Sequence, residues 1–214
     1  MAQFNTIYQF ASQLNASARA NQFKVHINFP LAVKIDDKSS TKGAKEAAEF
    51  LTHQASLPSY NTDDIPVWYR GRTIHEAGEK TYEPWTCTIY NSADFRIRQA
   101  IESWASLMHH PEYVAGFTSP GTYKSTIAIQ QLDRNGNSLR VYVLYGAYPT
   151  STGQIELSFQ NGTEIETFQA TFVYDYFVTG GEALIKAAEK NSVVTQTVDS
   201  IDGYTYGANA NRYF

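Results

Sequence analysis

Residues 63–104 combine two strand patterns, a turn and an amphipathic helix in one unbroken run, and no other part of the chain limits the possible folds as strongly. The first pattern, over residues 65–76, alternates with the period of two that is typical of a β-strand. Neither side of it is cleanly apolar. Because an isolated subunit would leave such a strand exposed, we predict an inter-subunit arm that another copy completes. One side carries Val67, Tyr69 and Thr73, and the other carries Trp68, Arg70, Arg72 and Ile74. The residues assigned to the arm are Ile65, Val67, Trp68, Tyr69, Arg70, Arg72, Ile74 and Glu76.

The inter-subunit arm is predicted to turn at Ala77, Gly78 and Glu79. Residues 82–90 then form a second strand pattern, rich in aromatic, Thr and Ile residues, and Pro84 within it indicates an edge position or a bulge. We therefore expect the arm and this strand to pair as one long hairpin. A buried structural thiol, rather than a reactive one, is expected for the single cysteine in this strand.

The end of the run is predicted to be a helix over residues 92–109. Asn91 or Ser92 can cap its N-terminus, and Asp94 is favourable near the positive end of the helix dipole. One stripe of its surface is apolar, so the helix should bury that stripe against the strands. The stripe consists of Ile97, Ile101, Trp104 and Met108.

Strand patterns recur along the rest of the chain. Residues 23–31 alternate between apolar and polar positions and are expected to form the first strand of the core. Residues 123–132 and 139–148 flank Asn135 and Gly136, which suit a tight hairpin turn. The sequence therefore predicts a mainly β, α+β fold, namely an antiparallel β-sandwich or barrel with one central helix.

The last long strand is predicted to belong to a second hairpin, in which residues 154–160 and 164–177 are joined at Asn161 and Gly162. One face of this strand is apolar and is expected to pack on the core. The other face is polar and should meet water or an internal channel. The polar residues are Thr167, Gln169, Thr171 and Asp175.

Three segments follow from these patterns: an N-terminal arm with a short helix over residues 1–21, a β domain over residues 22–178 and a C-terminal extension over residues 179–214. Residues 34–49 are polar and are predicted to be an inserted loop. This loop is either a tolerated surface loop or a segment that becomes ordered against a partner. Its charged residues are Lys34, Asp36, Asp37, Lys38, Lys42, Lys45, Glu46 and Glu49.

Residue types that could carry chemistry are present but not grouped. His109 and His110 are adjacent at a helix end, and no histidine has a Cys or carboxylate at a recurrent ligand spacing. No nucleophile motif is found, so we predict no catalytic site, metal or cofactor. The formal charge of −4 argues against a protein that grips nucleic acid through its phosphates. No run has the length of a bilayer span, so we expect no stable membrane association.

The order and spacing of many residues resemble the tail tube proteins of contractile-tailed bacteriophages, the family of the T4 tube subunit. The resemblance covers roughly residues 20–178 and is distributed over many positions. The matching residues are Ala55, Ser56, Leu57, Pro58, Ile65, Pro66, Arg72, Ile74, Ala77, Gly78, Trp85, Asn91, Arg98, Trp104, Gly146, Pro149, Thr150, Gly153, Leu157, Glu164, Ile165, Thr167, Phe168, Asp175 and Tyr176.

The resemblance implies a non-enzymatic structural subunit whose copies form stacked hexameric rings. These rings would make a hollow tube inside a tail sheath, with the tape measure protein in the lumen and genomic DNA passing through without specific binding. Baseplate and tail terminator proteins are further expected partners, and the virion tail, assembled in the host cytoplasm, is the expected location. On this view residues 34–49 contact the adjacent ring, and the polar face of the last strand or the arm hairpin lines the channel.

Two other functions remain open. The nearer one is a baseplate protein that initiates the tube, or the inner-tube protein of a related contractile injection or secretion system. The more distant one is a monomeric β-barrel binding module, in which the aromatic strands line a ligand pocket.

Overall fold

The computed structural model describes residues 7–14, 18–35, 41–110, 116, 119–159 and 165–191. Strands dominate this part of the chain, and every strand pairing in it is antiparallel. The helices are α1 Ile7–Leu14, α2 Lys42–Leu51, α3 Arg96–Met108, α4 Pro120–Tyr123 and α5 Ala183–Asn191. The strands are β1 Phe23–Ile27, β2 Thr52–Ala55, β3 Tyr60–Tyr69, β4 Arg72–Tyr82, β5 Trp85–Tyr90, β6 Ser125–Leu132, β7 Ser138–Thr152, β8 Thr167–Val173 and β9 Tyr176–Gly180.

The main sheet has the strand order β1-β6-β7-β8-β5-β2, and β9 also pairs with β7. The predicted mainly β, antiparallel fold is therefore confirmed. β7 is long enough to serve both halves of the sheet: residues 141–145 pair with β9, and residues 148–152 pair with β8. The strand changes partner around Gly146, which has a φ of 68° and lies opposite the bend between β8 and β9.

The main core lies under the inner face of this sheet and is closed by α3. Ile97, Ile101 and Trp104 of the predicted stripe are fully or almost fully buried, while Met108 is only half-buried. The Trp104 ring contacts Phe29 and Phe172, with ring centroids 5.8 and 6.0 Å apart, and its indole N–H donates to the carbonyl of Tyr123. Such burial of large aromatic side chains is a principal source of stability.

The outer face of β6, β7 and β9 is covered by α5. Ala188 of α5 packs against Ala128, Val141 and Val143 in a second, smaller cluster. β6 is consequently buried on both faces, since Ile127 and Ile129 point into the main core while Ala128 faces the second cluster. α5 lies at the start of the predicted C-terminal extension. Residues 192–214 lie outside the described residues.

The predicted start of the central helix is wrong, because α3 begins at Arg96. Phe95 precedes it with a φ of 49°, and its N–H donates to the carbonyl of Ser92. Asn91 does not cap the helix. It binds Glu166 instead, through its backbone N–H at 2.8 Å and its side-chain amide at 2.9 Å, and so ties the end of β5 to the start of β8.

The predicted second hairpin is also wrong. Residues 153–158 form no strand, and the turn expected at Asn161 and Gly162 lies outside the described residues. The expected single strand over residues 164–177 is split into β8 and β9 by a bend at Tyr174 and Asp175. The alternation within β8 is nevertheless confirmed, because Phe168, Ala170 and Phe172 are buried and the residues between them are more exposed.

Candidate functional site

The predicted inter-subunit arm folds back on itself as a two-stranded hairpin of β3 and β4. Its turn is at Arg70 and Gly71, which have φ values of 45° and 80°, and the register pairs Tyr69 with Arg72 and Val67 with Ile74. Two consecutive positive φ angles are typical of the tight turns that match strand twist. The expectation that residues 65–76 form one strand and pair with residues 82–90 is therefore wrong.

The segment predicted as the turn is instead a bulge inside β4. Thr62 pairs with Lys80 and Asp64 pairs with Ala77, so Gly78 and Glu79 both lie opposite Asp63. A Cβ on Gly78 would lie 3.0 Å from the carbonyl oxygen of Asp63. This close backbone approach explains the glycine, since bulges and tight contacts both favour it.

The register also changes which arm residues share a face, because residues paired across antiparallel strands project to the same side. Ile74 and Arg72 join Val67 and Tyr69 on one face, whereas the sequence pattern placed them beside Trp68. On the other face Trp68 is paired with Thr73. All ten residues of β3 are exposed, and the Trp68 side chain is 76% exposed. The hairpin thus presents large apolar side chains on both faces.

The base of the hairpin is anchored to the bend between β8 and β9 by aromatic contacts. The Lys80 ammonium lies 3.8 Å from the centroid of the Tyr60 ring, and the rings of Tyr60 and Tyr82 both contact Phe177. The Tyr174 hydroxyl donates to the carbonyl of Ser59. Burial, together with the neighbouring Tyr82 and Glu83, raises the pKa of Tyr174, so this donor stays protonated at neutral pH.

A second candidate surface is the outer face of the sheet formed by β2, β5, β8 and the end of β7. Thr171, Gln169 and Thr167 lie opposite Thr86, Thr88 and Tyr90 in the register. We call this surface the polar face, and its residues are Gln54, Thr86, Thr88, Ser151, Thr167, Gln169 and Thr171. The strands that form it, including residues 148–152, contain no Asp, Glu, Lys or Arg. The face is therefore polar, and His53 of β2, whose ring contacts Tyr90, is the one titratable group besides Tyr90 that these strands place beside it.

Asp175 was predicted to share the polar face, but it follows the end of β8 and is held elsewhere. Its carboxylate accepts hydrogen bonds from the Lys124 ammonium at 2.7 and 2.9 Å and lies against Gly146. Its backbone N–H donates to the carbonyl of Tyr145. These contacts fix the bend between β8 and β9.

The predicted loop over residues 34–49 is wrong from Lys42 onward, because α2 occupies residues 42–51. The helix forms because Ala44 and Ala48 bury one small apolar stripe. The predicted inter-ring residues Asp36, Asp37 and Lys38 lie outside the described residues. Lys34, Lys42 and Glu46 are exposed, and Lys45 is half-buried.

Glu49 is turned toward its own sheet, where its carboxylate accepts a hydrogen bond from the Lys24 ammonium at 2.9 Å. Burial acts to raise the pKa of Glu49, but the hydrogen bond and charge of Lys24, together with the electrostatic interactions with His26 and Lys45, outweigh it and lower the pKa. Glu49 therefore tethers α2 to β1, and its carboxylate is occupied within the subunit.

A cleft that the sequence did not predict lies at the start of β8, where Asn91 binds Glu166. It is lined by residues 154–158 and 165–167 and has a volume of about 460 Å³. We call it the end cleft. Leu157 and Ile165 in its wall are 80% and 70% exposed. The nearby Arg98 bonds to the carbonyl of Gly153 and pairs with Glu102.

The described residues hold no cluster of three or more His, Cys, Asp or Glu side chains that could bind a metal ion. No helix among them has the length and hydropathy to cross a membrane. Cys87 is buried, as the sequence predicted, and burial raises the pKa of its thiol to about 12. Its environment is that of a packed core residue.

Comparison with known proteins identifies the family of this chain. A profile of phage tail tube proteins matches residues 18–180. The chain belongs to the phage tail tube protein family. Tail tube protein gp19 of Enterobacteria phage T6 is 29% identical over 129 residues, which cover 60% of this chain and 79% of that protein. The tail tube protein of Serratia phage KSP90 is 24% identical over 157 residues, with 73% and 85% of the two chains covered.

Solved structures agree with this tail tube fold. The sheath/tube terminator of an extracellular contractile injection system, PVC, has a TM-score of 0.55 and 13% identity over 77% of this chain and 97% of that one. A chain of the sheath-tube complex of the same kind of system has a TM-score of 0.51 and 14% identity, with 79% and 97% covered. At these identities the likeness is one of fold.

The tail tube family match gives the chain a structural role, that of a tail tube subunit. The matched residues run from before β1 to the end of β9, so they include both the β3–β4 hairpin and the polar face. α5 lies beyond the match. The family match thus ends with β9, and α5 covers part of the outer face of the main sheet.

Proposed function

We propose that this protein is the repeating subunit of a phage tail tube, in which copies form hexameric rings that stack into a hollow conduit for genome ejection. The observation that carries this proposal is the β3–β4 hairpin, which belongs to the family-matched region and exposes apolar side chains on both of its faces. An exposed, two-faced hairpin of this length requires a partner. In a closed ring, a neighbouring copy of the chain supplies this partner to every subunit.

The polar face is proposed to line the lumen. Hydroxyl and amide groups keep this face hydrated. Its strands carry no Lys or Arg, so they offer DNA phosphates no Lys or Arg side chain with which to form an ion pair. DNA and the tape measure protein would then slide past without being held. Of the residues first assigned to the lumen, Thr167, Gln169 and Thr171 fit this role, whereas Asp175 contributes to the bend of the sheet.

Further partners are proposed on the strength of the family. The outer surface of the tube would contact the tail sheath, and the two tube ends would contact baseplate and tail terminator proteins. The relatives are named as tail tube proteins, which supports a location in the virion tail, with assembly in the host cytoplasm. The exposed residues Lys42 and Glu46 of α2 remain candidates for a contact with the adjacent ring.

Electron microscopy of the purified chain tests the proposal. We expect rings and hollow tubes of uniform diameter, with six-fold symmetry in end views. Rings that never stack would instead indicate a tube initiator, and monodisperse small particles at all concentrations would contradict a tube subunit. The polymers should form from the chain alone, because the proposed interface lies between copies of the same protein.

A further inference from the structure

We propose that His53 makes the polar face sensitive to pH, so that DNA passing along this face is held more strongly below neutral pH than above it. This inference rests on the proposed tube function, because it takes the polar face to line the lumen. What it adds is a positive charge, one for each copy of the chain, that protons place on the lumen wall and remove again.

A bulge at the start of β2 turns the His53 side chain toward the polar face. Thr52 pairs with Ile89 and Gln54 pairs with Thr88, so His53 is the extra residue on its strand. Thr52 and Ile89 are buried on the core side of the sheet, whereas His53 is exposed. A β-bulge commonly re-aims a side chain in this way. The local backbone therefore gives the imidazole to the outer side of the sheet.

The His53 ring rests against the polar face but remains open to water. Its centroid lies 4.7 Å from that of the Tyr90 ring, and the two ring planes are tilted by 47°. Tyr90 is the last residue of β5 and pairs with Thr167 of the polar face. The imidazole can thus exchange protons with the solvent, while its contact with Tyr90 fixes where on the face the charge is placed.

The charged groups of the elements beside β2 are engaged with one another. α2 runs directly into β2, and β1 lies close to it. Glu49 accepts a hydrogen bond from Lys24 at 2.9 Å and also lies 3.6 Å from His26, and Lys42 lies 3.8 Å from Glu46. The charged and titratable residues of α2 and β1 are Lys24, His26, Lys42, Lys45, Glu46 and Glu49.

The strands on the other side of β2 bring one carboxylate near the end of the face. This is Glu166, which accepts a hydrogen bond from the side-chain amide of Asn91 at 2.9 Å. Among the described residues His26 and His75 each have a carboxylate oxygen within 4 Å, whereas His53 has none. Within this part of the chain, no acid therefore neutralises a protonated His53.

Protonation of His53 changes the charge of the whole polar face. A histidine side chain ordinarily changes charge between about pH 5 and pH 8, and the strands of this face carry no Asp, Glu, Lys or Arg. Above this range the face offers phosphates no cation. Below it, every subunit of a ring contributes one imidazolium, and the stacked rings repeat that charge along the path of the DNA. Phosphates are attracted to such a surface in a salt-dependent way.

DNA release from virions at two pH values tests this role of His53. Wild-type release should be on the order of threefold slower at about pH 5.5 than at about pH 7.5, and added salt should reduce the difference. His53→Gln keeps a polar side chain that takes up no proton, so release should then be equally fast at both pH values. His109→Gln removes an exposed histidine at the end of α3 and is the matched control, which should keep the wild-type difference.

A fixed charge at the same position gives the complementary readout. Lys stays protonated at both pH values, so His53→Lys should release DNA slowly at both. Electron microscopy of the tails checks that each variant still assembles tubes of normal diameter.

The outcomes separate this inference from the tube function. A wild-type chain that forms no tubes contradicts the tube function itself. Wild-type tubes that release DNA at the same rate at both pH values, or a His53→Gln variant that keeps the wild-type difference, contradict the role of His53 alone. Loss of the difference in His109→Gln would also overturn it, because the effect would then not belong to the polar face.

Discussion

Gly146 allows β7 to change partner from β9 to β8 within one strand. Its φ of 68° is unfavourable for other residues, and an added Cβ would collide with the carboxylate of Asp175. A substitution here therefore lowers the free energy of unfolding in two ways, through backbone strain at positive φ and through the collision of the new side chain with Asp175. Asp175 would have to move, and its pairing with Lys124 would be disturbed.

Gly146→Ala is expected to lower the free energy of unfolding by roughly 1–3 kcal/mol. Gly136→Ala is the matched control, since Gly136 has a φ of 80° but open space around its Cα. It should cost only the backbone part, about 1 kcal/mol. Urea unfolding followed by circular dichroism measures both. Equal losses for the two variants would show that Asp175 does not crowd the position.

Cys87 should be unreactive in the folded chain. With a pKa of about 12 its thiol is protonated at pH 8, and the thiolate is the reactive form. A maleimide should label the native protein hardly at all at pH 8 and label it fully in denaturant. Because folding raises the pKa, this site stabilises the fold less as the pH rises above the unfolded value of about 8.5. Rapid native labelling would contradict the burial.

At the scale of the elements, two of the three tryptophans, Trp68 and Trp104, allow assembly and folding to be tested separately. Trp68→Ala, on the exposed hairpin, should change the free energy of unfolding by less than about 0.5 kcal/mol but abolish or weaken tube formation. Trp104→Ala, in α3, should cost about 3–5 kcal/mol because it empties the core. Unfolding curves and electron microscopy give the two readouts. Normal tubes from Trp68→Ala would remove the hairpin tip from the interface.

The elements predicted correctly from the sequence are those whose patterns are local and regular. The apolar stripe of α3 and the hairpin of β6 and β7 around Gly136 belong to this class. α2 was missed because its buried stripe is made of Ala44 and Ala48, whose small side chains do not mark a face as strongly as Leu or Ile do. The helix-forming run of Lys, Glu and Ala was the available signal.

The candidate surfaces were only partly predictable. The turn of the β3–β4 hairpin was missed because Gly78 competed with Gly71 as the turn glycine, and a residue as large as Arg70 is uncommon at positive φ. The polar face was half predicted from β8, but its other half comes from β5, β2 and the end of β7, which depend on long-range pairing. The end cleft follows from the same pairings and has no local signature.

At the scale of the whole molecule, the proposed position of the polar face in the lumen predicts how a tube of this protein would release DNA. Gln169→Lys would place one positive charge per subunit on this face and should slow DNA release from virions that carry the variant, with the delay shrinking as salt rises. Gln169→Glu and Asn135→Lys are the controls for size and for added charge elsewhere. A time course of DNA release checks this. Equal delays from Asn135→Lys would place the polar face outside the lumen.

β6 and β7 are buried on both faces, between the main core and the cluster under α5. Neither cluster can lose its packing without exposing strands that the other also needs. The sheet and α5 should therefore melt as one cooperative unit, while the β3–β4 hairpin opens independently of it. Amide hydrogen exchange would show this as a single slow class in β6 and β7 and a fast class in the hairpin. In the free subunit the hairpin would then be a mobile element on a rigid body, and its amides should gain protection only when copies assemble as proposed.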